Sequence, residues 1–282
     1  MSAARYQIRR VNNAVFLALS LSATAIALVA LSLILWSLLQ LGFGALSLDV
    51  FTKATPPPGE KGGLLNAIVG SLMMNGIAVG VGTPVGILAG TYLAEYGKNH
   101  PLSVVARFIN DILLSAPSIV LGLFIYELVV VRMRHFSGWA GCAALTLLVI
   151  PIVVRTTENS LALVPDGLRE AAVSVGAPRY VAIQKVTWRA AQAGVLTGVL
   201  LAIARIFGET APLLFTALNH QYMSTDMNQP IASLPVVIYQ FALSPYVDWQ
   251  KLAWAGALLI TVVVLLLNVL ARVIGSRGVK SK

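Results

Sequence analysis

The sequence predicts an all-α integral membrane protein with six transmembrane helices, and three observations carry that prediction. Hydrophobic residues make up 57% of the 282 residues and charged residues only 11%, against about 25% charged in soluble domains, and the mean hydropathy is +0.82. Apolar runs of about 20 residues, the length that crosses a hydrocarbon core, recur along the chain and leave room for about five to seven spans in a single domain covering residues 1–282. The basic residues are spread unevenly over the segments between those runs. They are not clustered with stacking aromatics, as a nucleic-acid face would require, so the net charge of +9 marks topology and excludes nucleic acid as a partner. Cys142 stands alone in an apolar run, which rules out a disulfide framework and makes it a packing residue. His100, His135 and His220 are far apart, read as loop residues, and offer no metal-ligand spacing.

Arg5, Arg9 and Arg10 precede the first apolar run, about Val15 to Leu41. It is too long for the roughly 7–15-residue core of a signal peptide and is expected to remain as the first span. A stiff Gly/Pro-rich connector with Pro56, Pro57 and Pro58 follows. The second run, about Leu64 to Leu93, carries Gly82, Gly86 and Gly90 at four-residue spacing around Pro84. Small residues so spaced let helix backbones approach closely; the segment GVGTPVG matches neither GxGxxG nor a Walker A loop. A polar link with Glu95, Lys98, His100 and Arg107 leads to the third run, about Phe108 to Val131, with Asp111 near its start and Pro117 inside. Asp111 there complements the positive end of the helix dipole.

The fourth run, about Trp139 to Val154, ends at Arg155, beside Glu158, and a polar loop extends from about 156 to 190. Within it, Pro165 and Asp166 suit a helix start. LREAA makes a short helix that stops at Gly176, and Pro178 begins another. Small Ala171 and Ala172 beside Glu170 would let this turn enter a groove on a partner. The fifth run, about Gly194 to Leu218, is followed by a connector containing LPVVIYQFALSP, expected to lie along the membrane face as a gate, a contact for a delivering protein, or an interfacial anchor with Tyr239, Tyr246 and Trp249 in an aromatic belt. The sixth run, about Leu252 to Val273, leads to a basic tail. With the N-terminus inside, 14 Lys and Arg fall on the cytoplasmic side, five outside, and Arg205 in the membrane. This bias fits the positive-inside rule with both termini cytoplasmic.

The fifth run holds the chemistry. In LLAIARIFGETAPLL, Arg205 and Glu209 lie one turn apart on one face. A central arginine costs roughly 2.5–3.5 kcal/mol on insertion scales, so it normally has a partner or a function. Pro212 cannot donate to the carbonyl of Gly208, which weakens the helix beside the charged pair. A solute pathway with a Gly208/Pro212 hinge is the functional expectation, and a salt bridge that merely holds helices together is its competitor. Arg155 is a candidate exit residue of that pathway or an ordinary positive-inside anchor.

Glu170-Ala171-Ala172 followed by Gly176 resembles the EAA loop, EAAxxxG, of ABC-transporter permeases. The longer segments VPDGLREAA, LLAIARIFGETAPLLFTAL, STDMNQPIASLPVVIYQFALSP and WQKLAWAGALLI are similar to the PstA-type permeases of phosphate ABC transporters, with IPIVVRTTEN around Arg155 also alike. The resemblance implies the type I ABC importer permease fold and a non-enzymatic subunit of the bacterial inner membrane. It also implies a phosphate pathway shared with a sister permease, phosphate delivery by a periplasmic or extracellular binding protein, and docking of Glu170, Ala171, Ala172 and Gly176 on a cytoplasmic ATPase dimer. ATP and Mg would bind that ATPase and no cofactor this chain, which has no G-x-x-x-x-G-K-[ST] loop. An ABC permease for another oxyanion such as sulfate, a secondary phosphate carrier, and a regulatory subunit are the alternatives.

Overall fold

The computed structural model of the chain describes residues 3–97 and 100–280; Lys98 and Lys282, and the side chains of Arg5, Arg277 and Lys280, lie outside the described residues. Every regular element among the described residues is helical: α1 Ala3–Ala45, α2 Leu48–Thr52, α3 Leu65–Thr91, α4 Pro101–Ser115, α5 Ser118–Ile125, α6 Val131–Met133, α7 Gly138–Ala162, α8 Asp166–Ser174, α9 Arg179–Ala182, α10 Trp188–Ile206, α11 Ala211–Thr216, α12 Leu234–Ala242 and α13 Val247–Lys280. π-helical turns at Tyr92–Tyr96, Tyr126–Val130 and Ile183–Thr187 extend α3, join α5 to α6, and join α9 to α10.

Five of these rods are long and apolar enough to cross a membrane: Arg9–Ala45, Leu65–Tyr96, Gly138–Ala162, Arg179–Ile206 and Val247–Ser276. The sixth expected span is not a straight rod. α4 and the rod Ser118–Met133, which α5 opens, pass the same test only together and are bent by 107° at Ala116 and Pro117. Proline restricts the residue before it to extended backbone, and Ala116 (φ −65°, ψ 136°) and Pro117 (φ −57°, ψ 134°) both leave the helical region. Because α4 begins at Pro101 and not near Phe108, Asp111 sits well inside the helix, away from the positive end where the sequence placed it.

The centre of the fold is the packing of α3 on α7. A Cβ built on Gly82 would lie 2.9 Å from Val149 Cγ1, on Gly86 2.7 Å from Val153 Cβ, and on Gly90 2.8 Å from Thr157 Cβ. Each missing side chain admits a branched one from the opposite helix, which brings the backbones together as the glycine spacing predicts. Around that seam Met74, Leu145, Val149, Ile206 and Leu213 are buried and unite α3, α7, α10 and α11. A second cluster, with Val50, Leu64, Val237, Phe241 and Ala255, binds α2 and α12 to the first turn of α3 and to α13.

α12 buries one face and leaves Tyr239 exposed, as is Tyr246 beyond its end. Val236 and Val237 are fully buried and Phe241 nearly so, and Trp249 stacks on Phe241 at 4.4 Å. One apolar face of LPVVIYQFALSP is therefore spent on the core, against α13 and the start of α3. Beneath it, buried Asn66 accepts from Thr55 N at 3.0 Å and donates to Thr55 Oγ1 at 2.9 Å and His220 O at 3.0 Å, tying the two connectors together. α1 stands apart: none of its most apolar stretch is buried in the chain, and it leans on α13 where Gly42 meets Leu258.

Gly86 and Gly80 lie on one helix in opposite situations, since a Cβ on Gly80 would meet nothing within 4 Å. Gly86→Val is expected to lower stability by about 1–3 kcal/mol, the cost of overpacking a filled interior, whereas Gly80→Ala leaves it unchanged or raised. Thermal unfolding of the two purified variants in detergent measures the contrast.

Candidate functional site

The fifth apolar run is two helices. α10 ends at Ile206, tight turns follow with Gly208 N donating to Arg205 O (3.3 Å) and Glu209 N to Ile206 O (3.2 Å), and α11 begins at Ala211. Pro212 explains the break: it has no N–H for a continuing helix but is tolerated in the first turn of a new one. Arg205 thus lies in the last turn of α10 and Glu209 beyond the helix end, which corrects the continuous helix expected from the sequence. Pro212 is buried, its Cα 2.6 Å from where a Cβ on Gly122 of α5 would stand. Gly208 is exposed, and a Cβ there would meet Arg205 O at 3.9 Å, an ordinary contact.

Arg205 and Glu209 still face each other, Nε to Oε1 at 3.6 Å. That is an ion pair but too long for a hydrogen bond. The Glu209 carboxylate is 14% exposed and the Arg205 side chain 47%, so the acid is fixed against the protein while the guanidinium fork points outward. Its terminal nitrogens donate to nothing among the described residues.

Arg155 is in the same condition. α7 does not stop at Val154 but continues to Ala162, so Arg155 projects from mid-helix. Its one described partner is Asp111 of α4, at 3.9 Å. Glu158, its expected neighbour, instead accepts from Arg107 Nε at 2.6 Å, while Arg107 Nη2 reaches Leu93 O at 2.9 Å. Both side chains are turned toward α4, where Glu158 meets Arg107 and Arg155 meets Asp111. Gly194 and Gly198 of α10 pack on Ser160 and Thr156 of α7, so the two helices run antiparallel and Gly198 is level with Thr156. Arg205, seven residues beyond Gly198, stands about 10 Å from Arg155 along the helix axes, at 1.5 Å per residue.

At the opposite end of α10 the polar loop is shorter than expected, because α7 takes in residues 156–162 and the helix beginning at Pro178 runs on through the third π turn into α10. α8 ends as predicted: Gly176 has φ +78°, and Gly176 N and Ala177 N donate to Val173 O and Ala172 O at 2.9 and 3.1 Å, a left-handed cap in which glycine avoids the Cβ clash. Glu170 and Ala171 are exposed, but Ala172 is buried. Of the two alanines, Ala171 is free for a partner and Ala172 is small because it packs inward. Leu163, Val173 and Val175 are 82%, 62% and 83% exposed around α8, an apolar rim on an otherwise polar element.

Sequence reasoning missed the groups that hold this end. Glu95, assigned to a polar link, is in the π turn of α3, buried, and accepts from Arg169 Nη2 at 2.8 Å. Arg169 also donates to Leu161 O at 2.8 Å, Val164 O at 2.6 Å and Asp166 Oδ1 at 3.0 Å. The hydrogen-bonded Glu95 carboxylate raises the Arg169 pKa above its ordinary value. Arg179 donates to Glu95 O, and its guanidinium lies 4.7 Å from the Tyr96 ring. The signal in the sequence was an arginine inside LREAA and an acid ending an apolar run; nothing local pairs residues 74 positions apart.

Comparison with known proteins converges on one family. The family model described as "Binding-protein-dependent transport system inner membrane component" matches residues 82–278. The phosphate transport system permease protein PstA of Pasteurella multocida is 58% identical over 273 residues, covering 97% of this chain and 98% of that protein. PstA of Haemophilus influenzae is 58% identical over 268 residues, 95% of each. Among solved structures, a chain of a bacterial alginate ABC transporter in complex with its periplasmic protein superimposes with a TM-score of 0.62 at 14% identity, covering 96% of both chains, a likeness of fold. The chain is therefore a multi-pass inner-membrane component of a binding-protein-dependent transport system and belongs to the PstA family of phosphate transport system permeases.

Proposed function

We propose that this chain is the permease subunit of an ATP-driven phosphate importer in which Arg205 and Arg155 meet the ion at two successive levels. The observation that carries this reading is the division of its arginines. Arg169 has four carboxylate and carbonyl acceptors within hydrogen-bond distance and Arg107 two, whereas Arg205 and Arg155, both in the spanning part, each keep one loose carboxylate contact among the described residues, at 3.6 and 3.9 Å. A guanidinium binds phosphate through paired hydrogen bonds. Leaving it uncommitted inside a membrane is costly unless an anion visits. Glu209 and Asp111 hold the two guanidiniums between visits and prevent either from retaining phosphate.

The two arginines face outward from this chain, so the pathway is completed by a sister permease. Phosphate comes from an external binding protein, and ATP and Mg2+ act on a separate pair of ATPase subunits that dock on Glu170, Ala171 and the apolar rim of α8, with both chain termini on that cytoplasmic side. The turn from Phe207 to Thr210, with Gly208 free of steric constraint, is the hinge; Pro212 is the fixed point behind it. A salt bridge that only joins helices is a poorer account, since Arg205 and Glu209 lie in consecutive turns of one segment.

Arg205→Ala is expected to lower ATP-dependent uptake of labelled phosphate in membrane vesicles by roughly 10- to 100-fold, the worth of about 1.5–3 kcal/mol for hydrogen bonds to a charged group, with normal amounts of protein in the membrane. Arg205→Lys, which keeps the charge without the fork, falls between. Unchanged uptake in Arg205→Ala would sink the pathway. In the same vesicles a tenfold excess of unlabelled phosphate should abolish labelled uptake and a tenfold excess of sulfate should not; equal competition by the two would assign the permease to oxyanions generally.

A further inference from the structure

At the α8 end of the molecule four helix termini converge on two side chains. Arg169, in the second turn of α8, is 19% exposed and Glu95, in the π turn of α3, 6% exposed. The guanidinium binds the Glu95 carboxylate through Nη2 at 2.8 Å and Nε at 3.3 Å, and closes the C-terminal end of α7 through Leu161 O and Val164 O. The backbone carbonyl of Glu95 accepts from Arg179, the first residue of α9, whose guanidinium also lies over the Tyr96 ring. One acid thus joins α3 to α8 by its side chain and to the rod ending in Arg205 by its main chain.

Apolar packing cannot do this work, because Ala172 alone among the residues of α8 is buried. A helix that rests on one methyl group is held in position and orientation by its polar bonds, and buried ion pairs supply direction more dependably than stability. The π turn contributes too: it is closed by Gly97 N donating to Tyr92 O at 2.8 Å, and such turns recur at functional sites in helices.

Accepting the docking of an ATPase on α8, we propose that the Glu95–Arg169 pair is a coupling latch, a positioning contact that makes α8 and the adjoining end of α3 a single rigid body. A displacement imposed on α8 is then carried into the α3–α7 seam and, through Arg179, along the rod that ends at Arg205. Without the latch α8 still meets the ATPase through Glu170, Ala171 and the exposed apolar rim, but its movement is absorbed in the loop from Leu163 to Pro178.

The test uses the complete transporter in proteoliposomes, with ATP hydrolysis and labelled phosphate uptake measured on the same preparation and assembly followed by co-purification of the ATPase subunits. Glu95→Gln and Arg169→Gln are expected to assemble and to hydrolyse ATP while phosphate moved per ATP falls at least tenfold, and the double variant to be no worse than either single one. An unchanged ratio, a parallel loss of hydrolysis and uptake, or an additive double variant would overturn the latch. If the Gln variants do not assemble, Arg169→Lys, which keeps the charge but not the multiple bonds, decides by the same ratio: a tenfold fall supports the latch, and an unchanged ratio or failure to assemble overturns it. Failure of the wild-type complex to take up phosphate with ATP would instead overturn the functional reading on which the latch rests.

Discussion

The close approach of α3 and α7 is the constraint on which the other contacts depend. Val149 and Val153 occupy space that side chains at Gly82 and Gly86 would claim, so the two helices fit together by shape along that stretch. Within a bilayer, where lipid is as apolar as the helices, such fit is the main source of association. Everything with charge hangs on its edges. Asn110 of α4 donates to Pro151 O on α7 at 3.3 Å, Arg107 spans from α4 to Glu158 and Leu93 O, and Arg169 binds the ends of both seam helices at once.

That arrangement separates the arginines by the acceptors it gives them. Those at the α8 end are consumed by carboxylates and by carbonyls near the C-terminal ends of α3 and α7, and they build a rigid base. Arg155 and Arg205 project from the same framework without being consumed by it. A guanidinium that already has four acceptors cannot exchange them for a passing ion, while one held by a single loose contact can. The difference lies in placement, since the residue type is the same and the Arg169 side chain is 19% exposed against 47% for Arg205 and 46% for Arg155.

Proline sets where the rods give way. Pro117 turns α4 from α5, Pro212 restarts the chain as α11 after α10, and Pro178 opens the rod that becomes α10. Yet Pro84 and Pro151 lie inside α3 and α7 without ending them. The seam explains the contrast: the residues around Pro84 and Pro151 are clamped by glycine contacts and by buried Val149 and Val153, whose packing outweighs one lost hydrogen bond. Around Pro117 and Pro212 two helices cross and a bend improves the fit, with Gly122 giving room for Pro212.

Much was legible in the sequence alone because it depends on neighbours along the chain. Five long spans follow from hydrophobicity and length, the α8 helix and its left-handed Gly176 cap from local turn chemistry, the α3–α7 seam from glycine spacing, and the nearness of Arg205 to Glu209 from their spacing of four residues. Tertiary structure alone decided what depends on distant partners: the 107° bend of α4 against α5, the inward folding of α12, the direction of Ala172, and the exchange of Glu158 from Arg155 to Arg107. The pairing of Glu95 with Arg169 belongs with these. A helix presents its charges on a surface fixed by 3.6-residue periodicity, but which opposite charge waits there is settled only when remote helices pack, and no local pattern encodes that choice.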